Sequence, residues 1–183
     1  MGLYCDVLRL PAAAVKACWD LRQNEAQMVA HLQKSATSWV EVDKAWHGVH
    51  VLLNPDYPVV RWPAGFLFIG GTLLADRDWG NLYGVDVPDL RAFTPAEVRE
   101  IHGVLRGVTD RTLLRGYDPD RLTKLNVYPQ IWENRSSPVQ WLLARFLGLS
   151  LQARYLAEQF SLLQKVVEEA AAAGEGLVIK YHQ

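Results

Sequence analysis

From Leu151 to Ala173 the chain runs without a proline or glycine, and Gly174 and Gly176 then close the stretch ahead of Leu177-Val-Ile-Lys-Tyr181. Tyr155, Leu156, Phe160, Leu163 and Val167 recur at helical spacing, which predicts a long helix with one apolar face. The glycines mark its end. The β-rich run that follows reads as a strand. Leu3–Leu10 is rich in β-formers and alternates, so it reads as a first strand in the same sheet as the last. With strands at both ends and helices between them, the reading is an α+β protein.

Between these two ends the chain predicts mostly helix. Pro11 suits a first helical turn, and the helix runs to about Arg22 with Val15, Cys18, Trp19 and Leu21 inward. A second helix carries Met28, Val29 and Leu32, and Ser35–Ser38 reads as a polar connection. Gly65-Phe-Leu-Phe-Ile-Gly70, an apolar run between glycines, predicts a buried strand. A long irregular segment then extends to Phe93 and holds Asp76, Asp78, Asp86 and Asp89. Thr94-Pro95-Ala-Glu97 is a helix start with a capping box, followed by Val98, Ile101, Leu105 and Val108. A further turn over Thr109–Arg115, a helix from Asp118-Pro119 to Leu125 and another from Ser137-Pro138 complete the reading. The expectation is one domain over residues 1–183: a small mixed sheet from strands near 3–10, 65–70 and 177–181, packed with several helices, the last the longest.

Charge narrows the function. Lys+Arg 19 against Asp+Glu 20 gives a net charge of -1, with no basic run of the kind that neutralises phosphates or holds a membrane surface. Nucleic acid and membrane partners are therefore not expected. Two cysteines, Cys5 and Cys18, make no disulfide framework and no paired metal spacing. No apolar run approaches the roughly 20 residues of a membrane span, and the first residues lack a signal peptide pattern. The reading is a cytoplasmic protein, with a monomer favoured.

Val42–Asn54 is the chemically densest segment, with Asp43, Lys44, Trp46, His47 and His50 in one predicted helix. Asp43 is placed as its N-cap. At about 100° per residue, Val42, Trp46, Val49 and Leu53 share one stripe, while Asp43, His47 and His50 share a second beside it. A polar stripe bordering an apolar one is where a cleft wall would stand. Tyr117–Trp132 is its expected partner, with Tyr128 and Trp132 as aromatic walls. No metal or cofactor is assigned: the histidines lack the His-Glu-x-x-His spacing, and the Gly70-Gly71-Thr72 turn lacks the Gly-Lys-Ser/Thr ending of a phosphate loop. The Asp76–Asp89 carboxylates do not follow a calcium-loop order. No nucleophile elbow is present. Acid-base work by His47 or His50 with Asp43 orienting the ring is the one catalytic option. The bland alternative has both imidazoles as hydrogen-bonded helix residues.

Taken together, several segments look like one family. Val42-Asp-Lys-Ala-Trp-His-Gly-Val-His50 with Leu52-Leu53 resembles the signature helix of the YfbM-like bacterial family, domain of unknown function 1877. Tyr117-Asp118-Pro119 and Tyr128-Pro129-Gln130-Ile131-Trp132 resemble its Tyr-Asp-Pro and Tyr-Pro-x-Ile-Trp segments. Arg91-Ala-Phe-Thr94-Pro95-Ala-Glu97-Val98 resembles its Arg-x-Leu-Thr-Pro-Glu-Glu-Val helix start. The Ser136–Ser150 passage is longer than the family's, and the first helices are only loosely similar. The resemblance implies a compact α+β domain of a bacterial cytosolic protein and no particular activity. The expectation is non-catalytic binding of a protein partner or small ligand in a cleft beside helix 43–53. The alternatives are a hydrolase built on a His/Asp pair of that helix and an immunity-type regulator of another bacterial protein.

Overall fold

The computed structural model describes residues 3–75, 90–132 and 150–182. The readings of Asp76–Asp89 and of a helix from Ser137 lie outside the described residues. Five strands, β1 (Tyr4–Leu10), β2 (Ser38–Glu41), β3 (Thr72–Ala75), β4 (Leu90–Phe93) and β5 (Gly176–His182), form one sheet in the order β2-β1-β5-β4-β3. Its two central strands pair over their full length, from Tyr4 opposite His182 to Leu10 opposite Gly176. Every pairing is antiparallel, so the sheet is not mixed.

Strand alternation sends side chains to two layers. Cys5, Val7, Leu177, Ile179 and Tyr181 enter the larger core with α3 (Trp46–Leu53), α4 (Pro95–Leu105), α5 (Asp110–Leu113), α6 (Pro119–Lys124) and α7 (Leu151–Ala173). Leu8, Leu10 and Val178 face the other way, onto α1 (Ala12–Asp20) and α2 (Glu25–Ser35). The helix α7 has the predicted bounds and buries Leu156, Phe160, Leu163 and Val167; Gly174 ends it at φ 66, a left-handed conformation that a side chain disfavours. Arg9 of β1 holds Glu169 of α7 and, at 2.8 Å, Glu175. Among the described residues no helix is long and apolar enough to cross a membrane.

Three sequence expectations fail for local reasons. Residues 65–70 are not a strand: Ala64–Phe66 is a 3-10 turn, Leu67 and Ile69 bond back three residues, and Leu67 and Phe68 reach the core from these turns. Burial of a short apolar run does not discriminate strand from turn. The two ends of the segment read as irregular, 72–75 and 90–93, pair as β3 and β4, and Ser38–Glu41 pairs as an edge strand. Strands this short carry little periodicity. Trp19, expected inward, is 42% exposed.

The start of α4 matches its sequence reading. Thr94 Oγ1 accepts from Glu97 N–H, and the Glu97 carboxylate accepts from Thr94 N–H at 2.7 Å. Thr94→Ala leaves the Glu97 N–H to water and should cost about 1 kcal/mol in urea unfolding. An unchanged midpoint would show the cap to be irrelevant.

Candidate functional site

The segment 42–54 folds in two parts. Asp43–Ala45 is a 3-10 turn and Trp46–Leu53 is α3. Asp43 takes φ 46 and caps no helix through its side chain. Its carboxylate instead accepts from the Tyr155 hydroxyl of α7 at 2.6 Å. Burial first, then that carboxylate, holds the Tyr155 phenol protonated. The cap expected at Asp43 is thus replaced by a tertiary bond. Lys44, half-buried, sits 4.8 Å from the Tyr4 ring.

Neither histidine lines an open polar stripe. His47 is 0% and His50 1% exposed, because α3 is covered on every side: each residue from Trp46 to Leu52 is buried. Trp46 Nε1 donates to the Leu3 carbonyl at 3.2 Å, and Leu3 N–H donates to the Tyr128 hydroxyl at 2.8 Å. His47 Nδ1 accepts from the Tyr128 backbone N–H at 3.1 Å. That bond puts the ring proton on Nε2, which lies 3.5 Å from the Tyr57 hydroxyl. His50 stands edge-on to Tyr57 and Phe68, with Nδ1 3.5 Å from Asn54 Nδ2. Asn54 Nδ2 also donates to the His50 carbonyl at 2.8 Å.

The second segment does pack on the first. Trp132 is buried, and its indole donates to the Val127 carbonyl at 2.6 Å. A Cβ placed on Gly48 would meet the Trp132 ring at 2.9 Å and Leu156 Cδ2 at 2.6 Å. The missing side chain of Gly48 is therefore the seat of the Trp132 ring, between the two histidines in sequence. Tyr57, Asn54 and Tyr155 complete the network and are not singled out by the sequence. Tyr57 sits among prolines, Asn54 reads as a helix stop, and Tyr155 reads as one more apolar-face residue.

The chemistry of this network is that of a buried interior in which His50 Nε2, alone among the ring nitrogens of the two histidines, makes no hydrogen bond. Burial first, and then His50 beside it, pulls the His47 pKa down to about 3. Burial pulls His50 down to about 4, opposed by the Gly65 carbonyl. Both rings are neutral at physiological pH. Neither bonds Asp43, so the orienting carboxylate that base catalysis requires is engaged elsewhere.

A separate hollow opens on the other face of the sheet. A cavity of about 380 Å³ lies between α1 and the β3–β4 edge, lined by Val15, Lys16, Trp19, Leu74, Ala92 and Pro95 among others. Trp19 forms one wall, with the Arg22 guanidinium 4.4 Å from its ring. Lys16 is the one charged residue of the lining among the described residues.

A family model described as "Domain of unknown function (DUF1877)" matches residues 1–180. Among solved structures, the protein of unknown function YfbM from Escherichia coli superposes with a TM-score of 0.67 at 12% identity, covering 98% of this chain and 99% of that one. That likeness is one of fold. No curated protein shows significant similarity.

Proposed function

The chain belongs to the DUF1877 family, whose description assigns no activity, and on that premise we propose that it is a non-catalytic binding domain for a small apolar, anionic ligand. The α3 network, with Trp46, His47, His50, Tyr128 and Trp132, is its frame, and the α1–β3–β4 cavity is its site. One observation carries this reading: an indole left 42% exposed at the wall of a largely apolar hollow. Its volume of about 380 Å³ is that of a small-molecule site. Lys16 supplies the single positive group to orient an acid. A hydrolase using His47 or His50 has no such support, because Asp43 is bound to Tyr155 and both imidazoles are buried.

Anilinonaphthalene sulfonate, an aromatic anion, is a suitable probe. It should bind the folded chain saturably and quench tryptophan fluorescence. Trp19→Ala, a change at an exposed position, should weaken binding about tenfold, from the lost stacking area, and Lys16→Glu should weaken it further. Saturable binding that both variants leave unchanged would place the site elsewhere. An absence of binding would end the small-ligand reading in favour of a protein partner.

A further inference from the structure

The geometry points to a divalent-metal site, of the zinc class, formed by Asp6, Glu41 and His182 at the far end of the sheet. The strand register makes it. Asp6 lies opposite Glu41 in β2 and opposite Lys180 in β5, and Tyr4 lies opposite His182. Directly opposed residues of antiparallel strands project to the same face, as do residues two apart. Asp6, Glu41 and His182 therefore converge from three adjacent strands, and one donor atom from each lies within 4.8 Å of the others.

The separations and the donor types fit an ion. His182 Nε2 and Asp6 Oδ2 are 3.2 Å apart. Two ligands bound to one zinc at about 2.0–2.2 Å each stand roughly that far from one another. Imidazole with carboxylate oxygens is a donor set for first-row divalent cations, and three protein ligands leave a position for water.

An independent observation concerns satisfaction. The Asp6 side chain is only 5% exposed, yet among the described residues it accepts no hydrogen bond. His182 Nε2 is sealed from solvent and has no hydrogen-bond partner; its approach to Asp6 lacks hydrogen-bond geometry. A ring nitrogen sealed in this state, against a carboxylate, is costly unless something is bound to it. The nearby ammonium does not fill the role. Lys180 is turned over the Trp39 ring at 5.3 Å and pairs with neither carboxylate. Tyr4 stacks on the His182 ring, with centroids 5.5 Å apart, and fixes its plane. Glu41 is exposed and has the rotamer freedom to close on an ion. The two cysteines are buried, and neither is among the three converging residues.

The test is calorimetric titration of the full chain, free of affinity tags, with zinc chloride. One zinc per chain should bind saturably. His182→Gln and Glu41→Gln, at half-exposed and exposed positions that tolerate change, should each weaken it at least about tenfold. Asp6→Asn should do the same if it folds, as read by circular dichroism. Cobalt(II) should give a visible absorption band that zinc abolishes and that His182→Gln lacks. No zinc uptake, or uptake unchanged in either His182→Gln or Glu41→Gln, overturns the site whatever Asp6→Asn does. This outcome is separate from the dye experiment, since none of these residues lines the α1 cavity.

Discussion

Unfolding free energy should fall by on the order of 4 kcal/mol as pH is lowered from 6.5 to about 4.5. His47 and His50 have folded pKa values of about 3 and about 4, against 6.5 for an ordinary imidazole. Within this window the unfolded chain takes up a proton on each ring and the folded chain does not. Stability is thus fully present above 6.5 and is lost as pH falls, at up to about 1.4 kcal/mol per pH unit for each ring. For a domain of ordinary stability, about 5–15 kcal/mol, such a loss brings the protein close to unfolding. Urea unfolding at a series of pH values measures it. His50→Gln, which cannot titrate, should be less stable at pH 7 but lose about half of the slope. A flat profile between 6.5 and 4.5, or an unaltered slope in that variant, would mean that the rings are hydrated rather than interior.

Trp132→Ala should destabilise the fold by about 3–5 kcal/mol, the range for a fully buried aromatic truncated to a methyl group. The ring is 1% exposed and fills the groove over Gly48. Its removal also frees the Val127 carbonyl from its 2.6 Å bond. The complementary change, Gly48→Ala, pits two effects against each other. Alanine gains about 1 kcal/mol in helix propensity, but the new methyl meets Leu156 at 2.6 Å and the Trp132 ring at 2.9 Å. Overpacking of a filled core costs about 1–3 kcal/mol, so the clash should win. In the Trp132→Ala background the clash with the ring is gone, Leu156 can turn into the vacated space, and the propensity gain remains. The double variant should therefore be more stable than the sum of the singles implies, by 1 kcal/mol or more on a double-mutant cycle. Strict additivity would show that the two positions do not share one packing site.

Legibility followed the length and strength of local signals. The bounds of α7, the Thr94 cap and the Asp118 cap are all readable, because periodicity and capping chemistry act within a few residues. The outer strands were opaque, since four residues such as Thr72–Ala75 find their state only through partners far along the chain. At the candidate site, the proximity of the two aromatic segments was legible, but the exposure of the histidines was not. A helix pattern gives the angle between His47 and Trp46, whereas solvent access depends on Tyr57, Phe68 and the turn at 64–69 closing over them. Asp43 misled for a related reason. An aspartate before an apolar run serves as a cap unless a tertiary donor claims it, and Tyr155 arrives from more than a hundred residues away.

The pairing of β1 with β5 at the middle of the sheet has a bearing on biogenesis. Residues 4–10 emerge from the ribosome early, but their hydrogen-bonding partner is residues 176–182. Until that late segment is released, the nascent chain holds an apolar strand with one ladder unfilled, alongside helices that have already formed. Completion therefore waits for a partner far along the chain and is topologically slow. Until then the first strand is an open template for whatever chaperone or neighbouring polypeptide reaches it first.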